Sequence, residues 1–240
     1  MLVVLASSAN EAALEFRRRN EAFDIAILTP DDLAAPGWCV HTSDFCRSTA
    51  VVNGRTVSVC DITAVLTLLP SIGEADVPHV HRDDRQYVAA EMHAFLLYWL
   101  SAMTTLHVPV FNPPCSPSLS SPAWDQLRVA RQAASIGIPI QPVYLSTTDC
   151  ANASSQTVPP NATVVTVIGS ICIGMAHRVL MSHALALARS AEVELLTVWF
   201  DGPNAGSLML GAEPWPDVGS PEVADALIGL ISNRHAGHRP

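Results

Sequence analysis

The strongest constraint on the fold lies in the first thirty residues. Leu2–Ala6 is a short, wholly apolar run, which reads as a buried strand. Asn10–Asn20 follows as a helix, capped by Asn10 or Ser8 and with Leu14 on its apolar side. Phe23–Leu28 is a second apolar run. A strand, a helix and a strand so close together demand a parallel pair joined by a right-handed crossover. The chain is therefore expected to be α/β.

The rest of the chain fits that class. Thr49–Val52 and Thr56–Cys60 flank Asn53-Gly54, a favoured two-residue hairpin turn. Ala64–Leu69 reads as a strand. Asp83 to Leu106 reads as a long helix capped by Asp83 or Asp84. Beyond Ala94 it is apolar almost all round, so burial between layers is expected. Pro109–Asn112 forms a short strand, and a helix is expected from Pro122 to Ser135, stopped by Gly137. Ile138–Leu145 reads as a strand, and Asp31–Leu33 as the start of a loop. Residues 146–161 are rich in Ser, Thr, Asn and Pro and read as a linker. It separates a domain at 1–145 from one at 162–240. In the second domain, Ala162–Gly169 and Ile171–Ile173 are strands and His177–Ser190 is a helix. Glu194–Phe200 and Ser207–Gly211 form a hairpin. Pro221–Ser232 is a last helix, before a frayed tail from Asn233.

Composition narrows function by exclusion. All 13 basic residues are arginine, against 22 acidic ones, for a net charge of -9. Without lysine there is no Walker-type phosphate loop, Schiff base or Ser-Lys dyad. The acidic balance argues against nucleic acid as a partner. No apolar run is long enough to span a membrane, and Leu2–Ala6 lacks the basic flank of a signal peptide. The six cysteines show no CxxC, so reduced thiols in a cytoplasm are expected. Cys172 reads as buried and inert, and Cys115 as the most reactive thiol.

Several residues offer chemistry. His79, His81 and Asp83 form the densest cluster of ligand types. On an extended strand the two histidines would share a face and suit a metal, with His93 as a further ligand. The alternative is a polar loop with Asp83 as a helix cap. Glu91, one turn after Tyr87, is either a buried acid with a raised pKa or the partner of Arg85 or Arg128.

Tyr87–Leu100 leading into Pro109–Asn112, and Ser118–Trp124 leading into Ala134–Pro139, resemble the N-terminal domain of RimK-like ATP-grasp proteins, which include peptide-modifying ligases. Val164–Gly174 with Glu194–Pro216 resembles that family's final core, where carboxylates on two strands hold magnesium. The resemblance implies a pre-ATP-grasp mixed sheet with helices, then a truncated ATP-grasp core. It also implies losses. The subdomain that brings phosphate-binding lysines is replaced by the polar linker. Trp199 stands where the family has its Asp, Gly211 where it has its Glu, and Glu213 at the Asn position. Trp199, Gly211 and Trp215 would then fill the cleft, leaving Glu213 and Asp217 as a poor magnesium pair.

The expectation is a degenerate ATP-grasp protein that does not use ATP. It would serve as an accessory or binding subunit in peptide or natural-product tailoring, with a peptide or protein partner or a second copy of itself. The alternative is an enzyme with a repurposed cleft, using Glu213, Asp217 and Glu91 for acid–base work or the His79–Asp83 cluster for a metal. No other cofactor is indicated.

Overall fold

The computed structural model describes residues 1–143 and 159–237. They gather into two compact units, one of residues 1–123 with 217–237 and one of residues 124–143 with 159–216. These boundaries differ from the division at 145 and 162 expected from the sequence. The last helix groups with the first unit, and the helix before Gly137 with the second. Most of the expected linker, Cys150 and the end of the expected strand at Ile138–Leu145 lie outside the described residues.

In the first unit, β1 (Leu2–Leu5), α1 (Glu11–Arg19) and β2 (Ile25–Leu28) form the expected crossover. β1 pairs in parallel with β2, with Leu2 opposite Ile25. Asn10 caps α1 by accepting from the Ala13 amide at 3.0 Å, which satisfies one orphan donor of the first turn. The buried side of α1 is Ala13 and Phe16, whereas Leu14 is 43% exposed, contrary to expectation. The chain then forms a short helix, α2 (Pro30–Leu33), where a loop was expected. Its capping box explains it: Asp32 accepts from the Thr29 amide at 2.9 Å and from its hydroxyl at 3.0 Å.

β3 (Thr49–Val52) and β4 (Arg55–Ser58) form the expected hairpin. Asn53 and Gly54 have φ of 52° and 69°, the left-handed pair that a type I′ turn requires. The Asn53 amide donates to the Ile27 carbonyl at 3.2 Å, and the Gly54 amide to Asp32 at 2.7 Å. One buried carboxylate thus ties α2 to the hairpin tip. Cys46 and Cys60 are joined as a disulfide, correcting the expectation that every thiol is reduced. Cys39 and the half-buried Cys115 and Cys172 are free.

β5 (Ala64–Thr67) pairs with β1, and β6 (Val110–Phe111) with β5, completing a parallel sheet ordered β2-β1-β5-β6. Between them runs α3 (Arg85–Thr105), which buries Leu96, Trp99, Leu100 and Met103 against Val3, Leu5 and Val65. Four such side chains contribute roughly 1.5–3 kcal/mol each by burial. Tyr87, Glu91, Ala94, Tyr98 and Ser101 are exposed at spacings of three and four, so α3 has one wet stripe rather than full burial.

In the second unit, α4 (Gln126–Ser135) begins at an Asp125 cap, which accepts from the Arg128 amide, and not at Pro122. Gly137, with φ of 76°, ends it as expected. Only an isolated bridge, Ile140 to Met209, stands where the described part of the strand after Gly137 was expected. β7 (Thr163–Ile168), β8 (Ile171–Ile173), α5 (Arg178–Ser190), β9 (Leu195–Phe200) and β10 (Met209–Glu213) follow. The antiparallel sheet is ordered β10-β9-β7-β8. Returning to the first unit, α6 (Pro221–Gly237) is longer than expected, and the residues from Asn233 to Gly237 are helical rather than frayed.

Asp32→Ala removes a buried acceptor of three hydrogen bonds and is expected to cost on the order of 3 kcal/mol in urea unfolding. Asp31→Ala, at an exposed neighbour, is expected to cost less than about 0.5 kcal/mol. Equal costs would contradict the tie between α2 and the hairpin.

Candidate functional site

Strand alternation sorts the side chains of the antiparallel sheet onto two faces. Val165 and Val198 with Ala212 share one face, and Val167 and Leu196 with Cys172 continue it. That face packs on Leu180, Ala184 and Leu187 of α5 and on Val129 and Ala133 of α4. Direct partners share a face, so the opposite side carries Thr166, Thr197 and Glu213 on one rung and Val164, Trp199 and Gly211 on the next.

The first rung is polar. Thr166 and Thr197 are both buried, and their hydroxyls lie 3.5 Å apart. The Thr197 hydroxyl donates to the Trp215 carbonyl at 2.8 Å, so Thr166 is left as donor to Thr197. This anchors the Trp215 backbone to β9. Its indole nitrogen is buried and has no acceptor among the described residues. Glu213 ends the rung. Burial pushes its carboxyl up to about 7, because the charged form loses water without gaining a partner.

The second rung has no ligating side chain. Gly211, opposite Trp199, leaves space across the rung for the half-buried indole. A Mg²⁺ ion takes six hard oxygen ligands in near-ideal octahedral geometry. One carboxyl that is half neutral near pH 7, beside an indole and a glycine, does not fit it.

The remaining candidate residues lie elsewhere. Asp217 is exposed, and its carboxylate accepts from the Gly219 amide at 3.0 Å, closing its own turn. Glu91 is exposed on α3, which overturns its reading as a buried acid. Arg85, offered as its partner, donates instead to the carbonyls of Val80 and Pro78. Tyr87 is 69% exposed. His79 sits in a turn and His81 opens a 3-10 turn, so the extended strand that would have aligned them is not formed. His81 and Asp83 approach to 3.7 Å, both exposed. His93 faces the Ile72 amide at 3.4 Å. Among the described residues, no group of three or more His, Cys, Asp or Glu could hold a metal. Cys172 is half-buried rather than fully buried, and burial raises its thiol pKa.

Thr166 and Thr197 were missed by sequence reasoning. Threonine in a β-branched run reads as strand propensity, and only the register reveals the polar rung.

Solved structures share this fold. PsnB, an ATP-grasp ligase complexed with minimal precursor, Mg and ADP, superposes with a TM-score of 0.62 at 12% identity, covering 96% of this chain and 98% of that one. The macrocyclase MdnC from Microcystis aeruginosa MRC, bound with precursor peptide MdnA, gives a TM-score of 0.65 at 11% identity over 97% and 100%. D-alanine-D-alanine ligase from Aeromonas hydrophila gives 0.52 at 10% over 99% of each. At such identities the likeness is one of fold: the chain has the ATP-grasp ligase fold. No protein-family model and no curated protein matches it. Among the described residues, no helix is long and apolar enough to cross a membrane.

Glu213 gives a pH signature. A carboxyl raised from 4.5 to about 7 binds its proton more tightly in the folded chain than in the unfolded one. Its contribution is therefore fully present below pH 4.5 and is lost as pH rises to about 7. Glu213→Gln should be more stable than the parent at pH 8, by on the order of 1–2 kcal/mol after solvent screening of the partly exposed carboxyl, with the gap closing towards pH 5. Parallel unfolding profiles would contradict an uncompensated carboxyl.

Proposed function

We propose that this chain is an ATP-grasp-fold protein without ATP-dependent ligase activity, acting as a peptide-binding accessory subunit in peptide or natural-product tailoring. The observation that carries the reading is the Trp199–Gly211 rung. The resemblance to RimK-like proteins expects metal-holding carboxylates at these two positions, and neither residue can ligate. The absence of lysine supports the same conclusion, because the lysines that usually hold the phosphates are missing. The peptide partner rests on the fold neighbours. PsnB and MdnC are each seen with a precursor peptide, and a ligase from Chryseobacterium gregarium, at a TM-score of 0.60 and 9% identity over 97% of this chain and 96% of that one, with a leader and core peptide. In this reading the protein works in the cytoplasm.

A second reading rests on Glu213. A carboxyl near 7 is poised to exchange a proton at neutral pH, so a remade site could use it as a general acid or base. Glu213→Gln separates the two, because it would abolish turnover in an enzyme and leave peptide binding intact in an accessory subunit.

Calorimetric titration with Mg-ATP tests the leading reading. No heat of binding is expected at micromolar nucleotide, with or without a precursor-type peptide. A saturable micromolar isotherm would overturn it.

A further inference from the structure

In the first unit, α1, the end of β2 and the tip of the β3–β4 hairpin enclose a groove of about 220 Å³. Ser8, Leu14, Arg17, Ile27, Thr29 and Asn53 line it. It lies beyond the carboxyl ends of β1 and β2, where open parallel sheets characteristically receive ligands. None of the functional residues discussed above lines it.

The geometry points to a binding site for a small carboxylate with an apolar side group, about the size of one acylated amino acid. Arg17 supplies the charge. It is partly buried, and among the described residues no hydrogen bond or ion pair engages it, whereas Arg18 and Arg19 on the same helix both hold Glu15. Arg17 also borders a larger and more open depression of about 580 Å³ with Glu21 and Asp24, but neither carboxylate reaches ion-pair distance. A guanidinium with its donors unspent fits one carboxylate in bidentate geometry.

The other walls define the rest of the ligand. Leu14, one helical turn before Arg17, is the exposed apolar residue that the core does not use. With Ile27 it offers an apolar surface. The Thr29 hydroxyl commits its hydrogen to Asp32, so its oxygen presents only lone pairs to the groove. That oxygen suits an amide N–H. The Asn53 side chain can meet an acyl oxygen. Asp32 also lines the groove, with its carboxylate oxygens held by Thr29 and Gly54, so Arg17 is the cation that an incoming carboxylate would meet.

The test is calorimetry on the full chain with N-acetyl-L-leucine, its carboxamide, and a glycine-rich tetrapeptide ending in leucine. Millimolar or tighter binding of a carboxylate is expected, weakened at least about tenfold by amidation and by Arg17→Gln. Arg131→Gln, an exposed control on α4, should leave it unchanged. Tighter binding of the tetrapeptide would assign the site to peptide termini, and of the acetylated residue to free acyl amino acids. No binding of either carboxylate at millimolar concentration, equal binding of the carboxamide, or indifference to Arg17→Gln in a variant that melts like the parent would overturn the proposal. The outcome is independent of Mg-ATP binding, so it can fail without the functional reading failing.

Discussion

The second unit depends on the register of β9 between β7 and β10. Because the side-chain period of a strand is two, fixing Thr197 opposite Thr166 and Glu213 fixes every other side chain as well. Val198, Val165 and Ala212 are sent towards α5, and Trp199 is sent to the opposite face with Gly211. A slip by one residue would bury the polar rung against α5 and expose the valines. Hydrophobic packing on one face therefore sets which residues occupy the other, and with them the chemistry available there.

That chemistry is narrow. Burial without a counter-charge makes Glu213 a proton carrier near neutral pH rather than a fixed anion. Divalent cations and triphosphates need the opposite, namely several anionic oxygens and several cations in fixed places. The Thr166–Thr197–Trp215 chain of hydrogen bonds is neutral and leaves Glu213 as the ionisable group of the rung. The groove in the first unit has a different character: an arginine beside Leu14 and Ile27, with Ser8, Thr29, Asp32 and Asn53 on its polar side.

Much of the fold was legible in the sequence because it depended on local signals. Asn10 read as a helix cap, Asn53-Gly54 as a tight turn and Gly137 as a helix stop, and each has the geometry expected. What was not legible depended on partners distant in sequence. Pro30–Leu33 forms a helix because Asp32 finds Thr29, and the hairpin tip then draws on the same carboxylate. Leu14 read as lying on the apolar side of α1, but Ala13 and Phe16 fill that side. For the candidate site, Trp199, Gly211 and Glu213 do fall on one face of the sheet. Glu91 failed because its environment depends on the wet stripe of α3, and the histidine pair failed because the assumed strand is a turn.

The proposed role requires that the sheet face of β9 and β10 gather no divalent ion and nucleotide. Electron paramagnetic resonance of Mn²⁺ added to the protein with ADP tests it directly. The account predicts that the free-ion spectrum keeps the intensity it has with ADP alone, and that Trp199→Asp with Gly211→Glu begins to diminish it. Stoichiometric loss of the free-ion signal in the unaltered chain, abolished by Glu213→Gln, would contradict it.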